Sequence, residues 1–200
     1  MHLSLKSALA TLALAALAPA AAHAQVTITI FQSGLDVDAS ATGKLNLAGL
    51  NFSGNGAPLQ TDLVRGLDGF VVLGNINTAY VVYTGFTGPI TYGSGARFDA
   101  SSGSGDPFAI SGPFNQLAVP KGYTSGNLIN GSAVFSGQTL STLGLTPGTY
   151  LYNLPNDTVT VQIGAAPTAV PEPSSVVSMG LGGVGLLGLL LRARKRSRAA

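Results

Sequence analysis

Polar and apolar residues alternate one for one in three stretches of this chain. Val26-Thr27-Ile28-Thr29-Ile30 sends its aliphatic side chains to one face of an extended strand and its hydroxyls to the other, because successive side chains point oppositely. Lys44-Leu45-Asn46-Leu47 repeats the pattern, and Asp157-Thr158-Val159-Thr160-Val161-Gln162-Ile163 carries it furthest. Phe70 to Leu73 and Ala79 to Tyr83 are more continuously apolar, as strands covered on both faces are. Turn residues separate these runs. Leu73-Gly74-Asn75-Ile76-Asn77 can reverse the chain, and Thr87-Gly88-Pro89 ends the next run, since proline has no amide to give a central ladder. Pro147-Gly148 launches Thr149 to Asn153, and Leu154-Pro155-Asn156-Asp157 turns the chain back into a terminal hairpin. Thr139 to Leu143 predicts one turn of helix, and long helical periodicity is absent. The pattern predicts an all-β body, an antiparallel β-sandwich or partly open barrel of roughly eight to ten strands at the usual turn spacing.

Two apolar runs fall outside this pattern, one near each end. Met1 to Lys6 supplies one positive charge, Ser7 to Ala18 is a run of Ala, Leu and Thr, and Ala22-His23-Ala24 places small residues where a signal peptidase reads them. Residues 1–24 therefore predict a secretory signal peptide with an N-terminal helix, cut before Gln25. The chain has no cysteine, which rules out a lipoprotein anchor. Ser174 to Leu191 is an 18-residue apolar run. At about 1.5 Å per residue it would span roughly 27 Å, near the hydrocarbon thickness of a bilayer, and it predicts a single transmembrane helix. Arg192, Arg194, Lys195, Arg196 and Arg198 follow it within residues 192–200, and such a cluster stays on the cytoplasmic side. Residues 25–166 are then an exported domain of ordinary size, and 167–173 a Pro-rich linker to the membrane.

Charge and missing residue types narrow the chemistry of the body. The whole chain carries +2, but Lys6 and the five tail cations supply six of its positive charges and Glu172 one negative. The body is left at −3, with Lys44, Arg65, Arg97 and Lys121 against seven aspartates. No basic patch remains to neutralise phosphates, so nucleic acid is not an expected partner. His2 and His23 both lie in the signal segment, and the body has no Cys, Trp or Glu. Nucleophile-histidine catalysis and imidazole or thiolate metal sites are excluded. A glycosidase needs two carboxylates about 5 to 9.5 Å apart. No pair stands out, and Asp62, Asp68 and Asp157 sit beside turn residues, where aspartate commonly bonds its own backbone. The expectation is a non-enzyme without a cofactor.

Calcium is the metal that an exported acidic β-domain can hold with oxygen ligands alone. Asp36-x-Asp38-x-Ser40 opens like an EF-hand loop, but Ala41 stands at the glycine position and Leu47 at that of the bidentate glutamate. Asp99-Ala-Ser-Ser-Gly-Ser-Gly-Asp106 is a roomier oxygen-rich loop, which makes Asp99 and Asp106 weak metal candidates; a Gly/Ser turn with solvated aspartates is the commoner reading.

Val170-Pro171-Glu172-Pro173, the apolar run and the arginine cluster occur together and in that order. The combination resembles the PEP-CTERM sorting signal of Gram-negative, exopolysaccharide-producing bacteria. The resemblance implies that an exosortase, an integral-membrane cysteine protease and transpeptidase, acts near Pro171, Glu172 and Pro173. It implies a single-pass membrane precursor exported through the inner membrane and sorted to the cell surface or beyond. The expected partners are signal peptidase, the sorting protease, the membrane and exopolysaccharide. The segment from Phe98 to Tyr152 also resembles the body of a recurrent group of small PEP-CTERM proteins, a likeness that carries no activity. For an exopolysaccharide-associated role, Tyr80, Tyr83, Tyr92, Tyr123, Tyr150 and Tyr152 are candidate sugar-stacking platforms. Tyr150 and Tyr152 share a face of the last hairpin, which suits core equally well. The tail is also labelled an ice-binding C-terminal domain, for which Thr27 with Thr29 and Thr158 with Thr160 give two T-x-T pairs but no repeated array. The alternative keeps the anchor uncleaved and makes this a single-pass inner-membrane protein with a periplasmic ligand-binding domain.

Overall fold

The computed structural model describes residues 25–56, 61–75 and 77–166; the expected signal helix, transmembrane helix and basic tail lie outside the described residues. Thirteen strands follow one another: β1 (Gln25–Ser33), β2 (Asp36–Lys44), β3 (Asn51–Gly56), β4 (Leu63–Arg65), β5 (Phe70–Leu73), β6 (Tyr80–Thr84), β7 (Arg97–Asp99), β8 (Ser102–Gly105), β9 (Phe108–Ser111), β10 (Gln116–Pro120), β11 (Leu128–Phe135), β12 (Gly148–Asn153) and β13 (Thr158–Ile163). They form two sheets. One has the order β12-β13-β1-β2-β11-β8 and the other β3-β6-β10-β9-β5-β4-β7.

The one-for-one alternation does what strand geometry requires. Val26, Ile28 and Ile30 of β1 join Val37, Ala39 and Ala41 of β2, Ile129 and Ala133 of β11, and Val159, Val161 and Ile163 of β13 in one core. From the other sheet the same core receives Val64, Val71, Leu73, Val81, Phe108, Ile110, Leu117 and Val119. Two separate sheets meeting in one core is the arrangement a sandwich needs. The continuously apolar runs also behave as expected. Opposite Val71 and Leu73, the other face of the seven-stranded sheet carries a smaller cluster of Leu63, Val72, Ala109 and Ala118, with Phe70 and Tyr80 packed against it.

Three expectations are corrected. The sheets are not wholly antiparallel, because β1 pairs with β13 in parallel from Gln25 opposite Thr158 to Ile30 opposite Ile163. The strands outnumber the expected eight to ten, since several are three or four residues long and one of them, Ser102-Gly103-Ser104-Gly105, has no large side chain. Lys44 to Leu47 is not a strand of its own; β2 ends at Lys44. The next three amides leave the ladder for side-chain acceptors, Leu45 N for the Tyr123 hydroxyl at 2.8 Å, Asn46 N for Asp157 Oδ2 at 2.6 Å and Leu47 N for Ser125 Oγ at 2.9 Å. Thr139 to Leu143 does form the expected single turn, closed by Leu143 N on Thr139 O at 3.0 Å, and it is not extended into a longer helix.

Tyrosines pin the connection from β6 to β7 across the core. Tyr92 and Tyr152 are fully buried, with ring centroids 6.4 Å apart and nearly perpendicular, and Phe86 and Tyr150 pack edge-on beside them. The Tyr152 hydroxyl donates to Gly69 O at 3.0 Å, so the 2.5 Å contact between the two phenols has Tyr92 as donor. Burial pushes both hydroxyls up, Tyr152 to about 12 and Tyr92 well above the ordinary tyrosine range, so both stay neutral donors. Tyr152→Phe strands the Tyr92 hydroxyl and the Gly69 carbonyl. We expect it to lower unfolding stability by about 1–3 kcal/mol, read as a shift in urea midpoint; an unchanged midpoint would deny the phenol pair its structural role.

Candidate functional site

The two sheets exchange chain at one corner. β7 is an edge strand of the seven-stranded sheet and β8 an edge strand of the six-stranded one, and only Ala100 and Ser101 lie between them. Their backbone amides divide accordingly, Ala100 N donating to Asp62 O at 2.8 Å and Ser101 N to Val134 O at 2.7 Å. The turn after β5 ties into the same corner, with Gly74 N on Ser132 O at 3.3 Å and Asn75 N on Gly105 O at 2.9 Å. A cavity of about 290 Å³ remains between these segments, lined by Asp62, Asn75, Asn77, Ser101, Ser102 and Gly103 together with Thr61, Gly74 and Ala100.

Asp62 is the unusual group. Its residue surface is 4 % exposed, and its Oδ1 is buried with no hydrogen-bond partner. Burial alone pushes its carboxyl from 3.8 up to about 7. No charged side chain of β4, β5 or β8 contributes to that shift. The glycine of β8 explains how the carboxylate fits: a Cβ on Gly103 would sit 1.5 Å from Asp62 Oδ2. Low strand propensity at Ser102-Gly103-Ser104-Gly105 is offset by pairing to β11, from Ser102 opposite Val134 to Gly105 opposite Gly131. The sequence pointed to Asp62 only as a turn aspartate; its one nonlocal signal was the glycine at 103.

Five of the other six aspartates are engaged, and Asp38 is a polar position of β2. Asp157, 9 % exposed, accepts Asn46 N on one oxygen and Thr158 N at 2.7 Å on the other. Asp68 pairs with Arg65, and Asp36 Oδ1 accepts Gly137 N at 2.7 Å. Asp36-x-Asp38-x-Ser40 lies within β2, not in an ion-binding loop. The expected oxygen-rich loop from Asp99 to Asp106 is likewise corrected. Its middle is strand β8, Asp99 takes Arg97 Nε at 2.7 Å, and Asp106 takes Asn130 N at 3.0 Å, so the two carboxylates do not fold around a common centre.

Of the tyrosines, Tyr92 and Tyr152 are core and Tyr150 is half-buried against Tyr92, donating to Thr146 O at 2.9 Å. The Tyr123 hydroxyl donates to Asn127 O at 2.7 Å while accepting Leu45 N, and Tyr83 packs edge-on to Phe52. Tyr80 packs on the smaller cluster of the seven-stranded sheet. The register does bring the threonine pairs together, Thr27 standing opposite both Thr160 and Thr42, and Thr29 opposite Ser40. Thr29 and Thr160 are each only 6 % exposed, and Gln25 Nε2 donates to Thr160 Oγ1 at 2.6 Å. The signal-cleavage residues Ala22 and Ala24, the sorting residues Val170, Pro171, Glu172 and Pro173, and the basic cluster Arg192, Arg194, Lys195, Arg196 and Arg198 lie outside the described residues, apart from Gln25, where β1 begins.

A carboxyl raised by burial makes the fold pH-sensitive in a defined direction. Between about pH 4 and pH 7 the folded state keeps a proton on Asp62 that the unfolded chain has released, so stability falls as pH rises through that window and levels off above it. Asp62→Asn should therefore raise stability by about 1–3 kcal/mol at pH 8 and leave it nearly unchanged at pH 4. Urea midpoints of both proteins at the two pH values measure this, and an equal effect at both would contradict it.

No curated protein and no solved structure matches the chain. Residues 169–195 match the family model described as the PEP-CTERM protein-sorting motif, over the Pro-Glu-Pro, the apolar run and the first basic residues. That match supports an exported protein sorted through exosortase. This chain carries a PEP-CTERM protein-sorting motif at residues 169–195, joined to an all-β body.

Proposed function

We propose that this is a non-catalytic exported protein, a β-sandwich displayed at the cell surface or in an exopolysaccharide matrix once a sorting protease has acted on its C-terminal anchor. The observation that carries the reading is the place of the sorting motif. It begins at residue 169, shortly after β13 ends at Ile163, so cleavage among Pro171, Glu172 and Pro173 removes no strand residue. At the other end a cut before Gln25 leaves β1 whole. Both trims spare the described strands. A non-catalytic role is supported by the chemistry available there: among the described residues the corner cavity has a single carboxylate, whereas glycoside hydrolysis of the usual kind uses two.

Mass spectrometry of the mature protein from its native host tests this. We expect an N-terminus at Gln25 and a C-terminus within Pro171 to Pro173, free or carrying an added group, and loss of that C-terminus when the sorting protease is deleted. A mature protein retaining Ala200 would overturn the processing and leave an inner-membrane protein with a periplasmic domain.

A further inference from the structure

A carboxylate oxygen buried without a partner is a cost that a fold avoids unless something supplies the missing donor. At the corner cavity the lining narrows what that donor belongs to. Among the described residues no Lys or Arg lines it, so a phosphate or an acidic sugar gains no counter-charge there and meets the charge of Asp62. Among the described residues no aromatic or large aliphatic side chain lines it, so an apolar ligand gains little there. A divalent cation would find one carboxylate where oxygen sites usually supply several. What the walls do offer is a mixture of donors and acceptors. Asn75 commits its Oδ1 to Asn77 N at 3.1 Å, so the donor it has left to offer is its Nδ2 group. Ser101 Oγ accepts Ser136 N at 3.1 Å and retains its own hydroxyl proton for another acceptor. Asn77 and Ser102 add an amide and a hydroxyl. A ligand hydroxyl both gives and takes a proton, and a ring bearing several of them matches this wall.

We infer that the corner cavity binds a neutral polyhydroxylated ligand about the size of one sugar ring, with Asp62 accepting from one ligand hydroxyl and Asn75 donating to another. The volume of about 290 Å³ is near the lower end of the size of small-molecule pockets. The inference rests on the matrix reading for where such a ligand is met, and it gives that reading a site. Binding is linked to protonation. A ligand hydroxyl donating to the carboxylate makes a charge-assisted bond that the protonated form cannot accept in the same way. Burial holds the Asp62 carboxyl up near 7 with no charged neighbour contributing, so the ligand is held more tightly above neutrality and lowers that value when it binds.

The test is an NMR titration of the full-length protein in a phosphocholine detergent, whose headgroup is not a sugar. The probes are the methyl glycosides of glucose, galactose and mannose, raised to about 0.1 M to cover millimolar affinities. We expect saturable shifts of the Asn75 and Asn77 side-chain amides with at least one glycoside. Binding should be roughly tenfold or more tighter at about pH 8 than at about pH 5.5, and the Asp62 carboxyl should titrate at lower pH when the site is filled. Asp62→Asn should abolish the pH dependence and weaken binding about tenfold, and Asn77→Ala should weaken it while leaving the Asp62 titration of the free protein in place. No saturable shift with any glycoside would overturn the inference and leave solvent as the occupant. A response to calcium chloride but not to glycosides would overturn it in favour of a cation. The mass of the mature C-terminus decides the export reading separately, so a failed titration and a failed sorting assignment are distinguishable.

Discussion

The parallel ladder between β1 and β13 holds the architecture together. It joins the first strand of the body to the last, with the remaining strands formed by the chain between them. On one side of it β2, β11 and β8 extend the six-stranded sheet, and on the other β12 closes it. Until β13 is in place, β1 has only β2 as a partner and its aliphatic face lacks Val159, Val161 and Ile163. Such a long-range pairing must meet its loop-closure cost before its contacts reward it. The six-stranded sheet is therefore completed only when residues 158–163 are available to pair with β1.

The same ladder explains which parts of the fold could be read from sequence. Val26 to Ile30 and Asp157 to Ile163 alternate cleanly because each is a central strand with one face in the core. Asp36 to Ala41 alternates as strictly, but its core residues include alanines, and aspartates at two of the polar positions suggested a failed metal loop in place of a strand. Alanine suffices there because β2 lies between β1 and β11, which supply larger side chains. Lys44 to Leu47 shows the opposite error. Its pattern is that of a strand, yet Tyr123, Asp157 and Ser125 take its amides, and none of these partners is local.

The address signals and the cavity differ in the same way. A sorting motif is read along the chain, so the order of Pro-Glu-Pro, apolar run and arginines is visible without a structure. The cavity has no linear form. Asp62, Asn75 and Ser101 come together because β7 leaves one sheet as β8 enters the other, and Ser102-Gly103-Ser104-Gly105 looked like a flexible loop because its reason for lacking side chains is the carboxylate of Asp62.

Asp62 and Asp157 make the functional argument sharper, since they are the same residue type in one domain. The fold satisfies Asp157 on both oxygens with backbone amides. It leaves Asp62 Oδ1 with none, beside a polar cavity, although asparagine or serine would fit the position without burying a charge. Ser111 Oγ is the other buried side-chain oxygen without a partner among the described residues, but it is a neutral hydroxyl and its desolvation costs less. Local rules are broken at functional sites more often than elsewhere. An orphaned carboxylate at the seam of two sheets, cleared of a side chain by glycine, is therefore better understood as a group held ready for a donor from outside the chain than as a defect of packing.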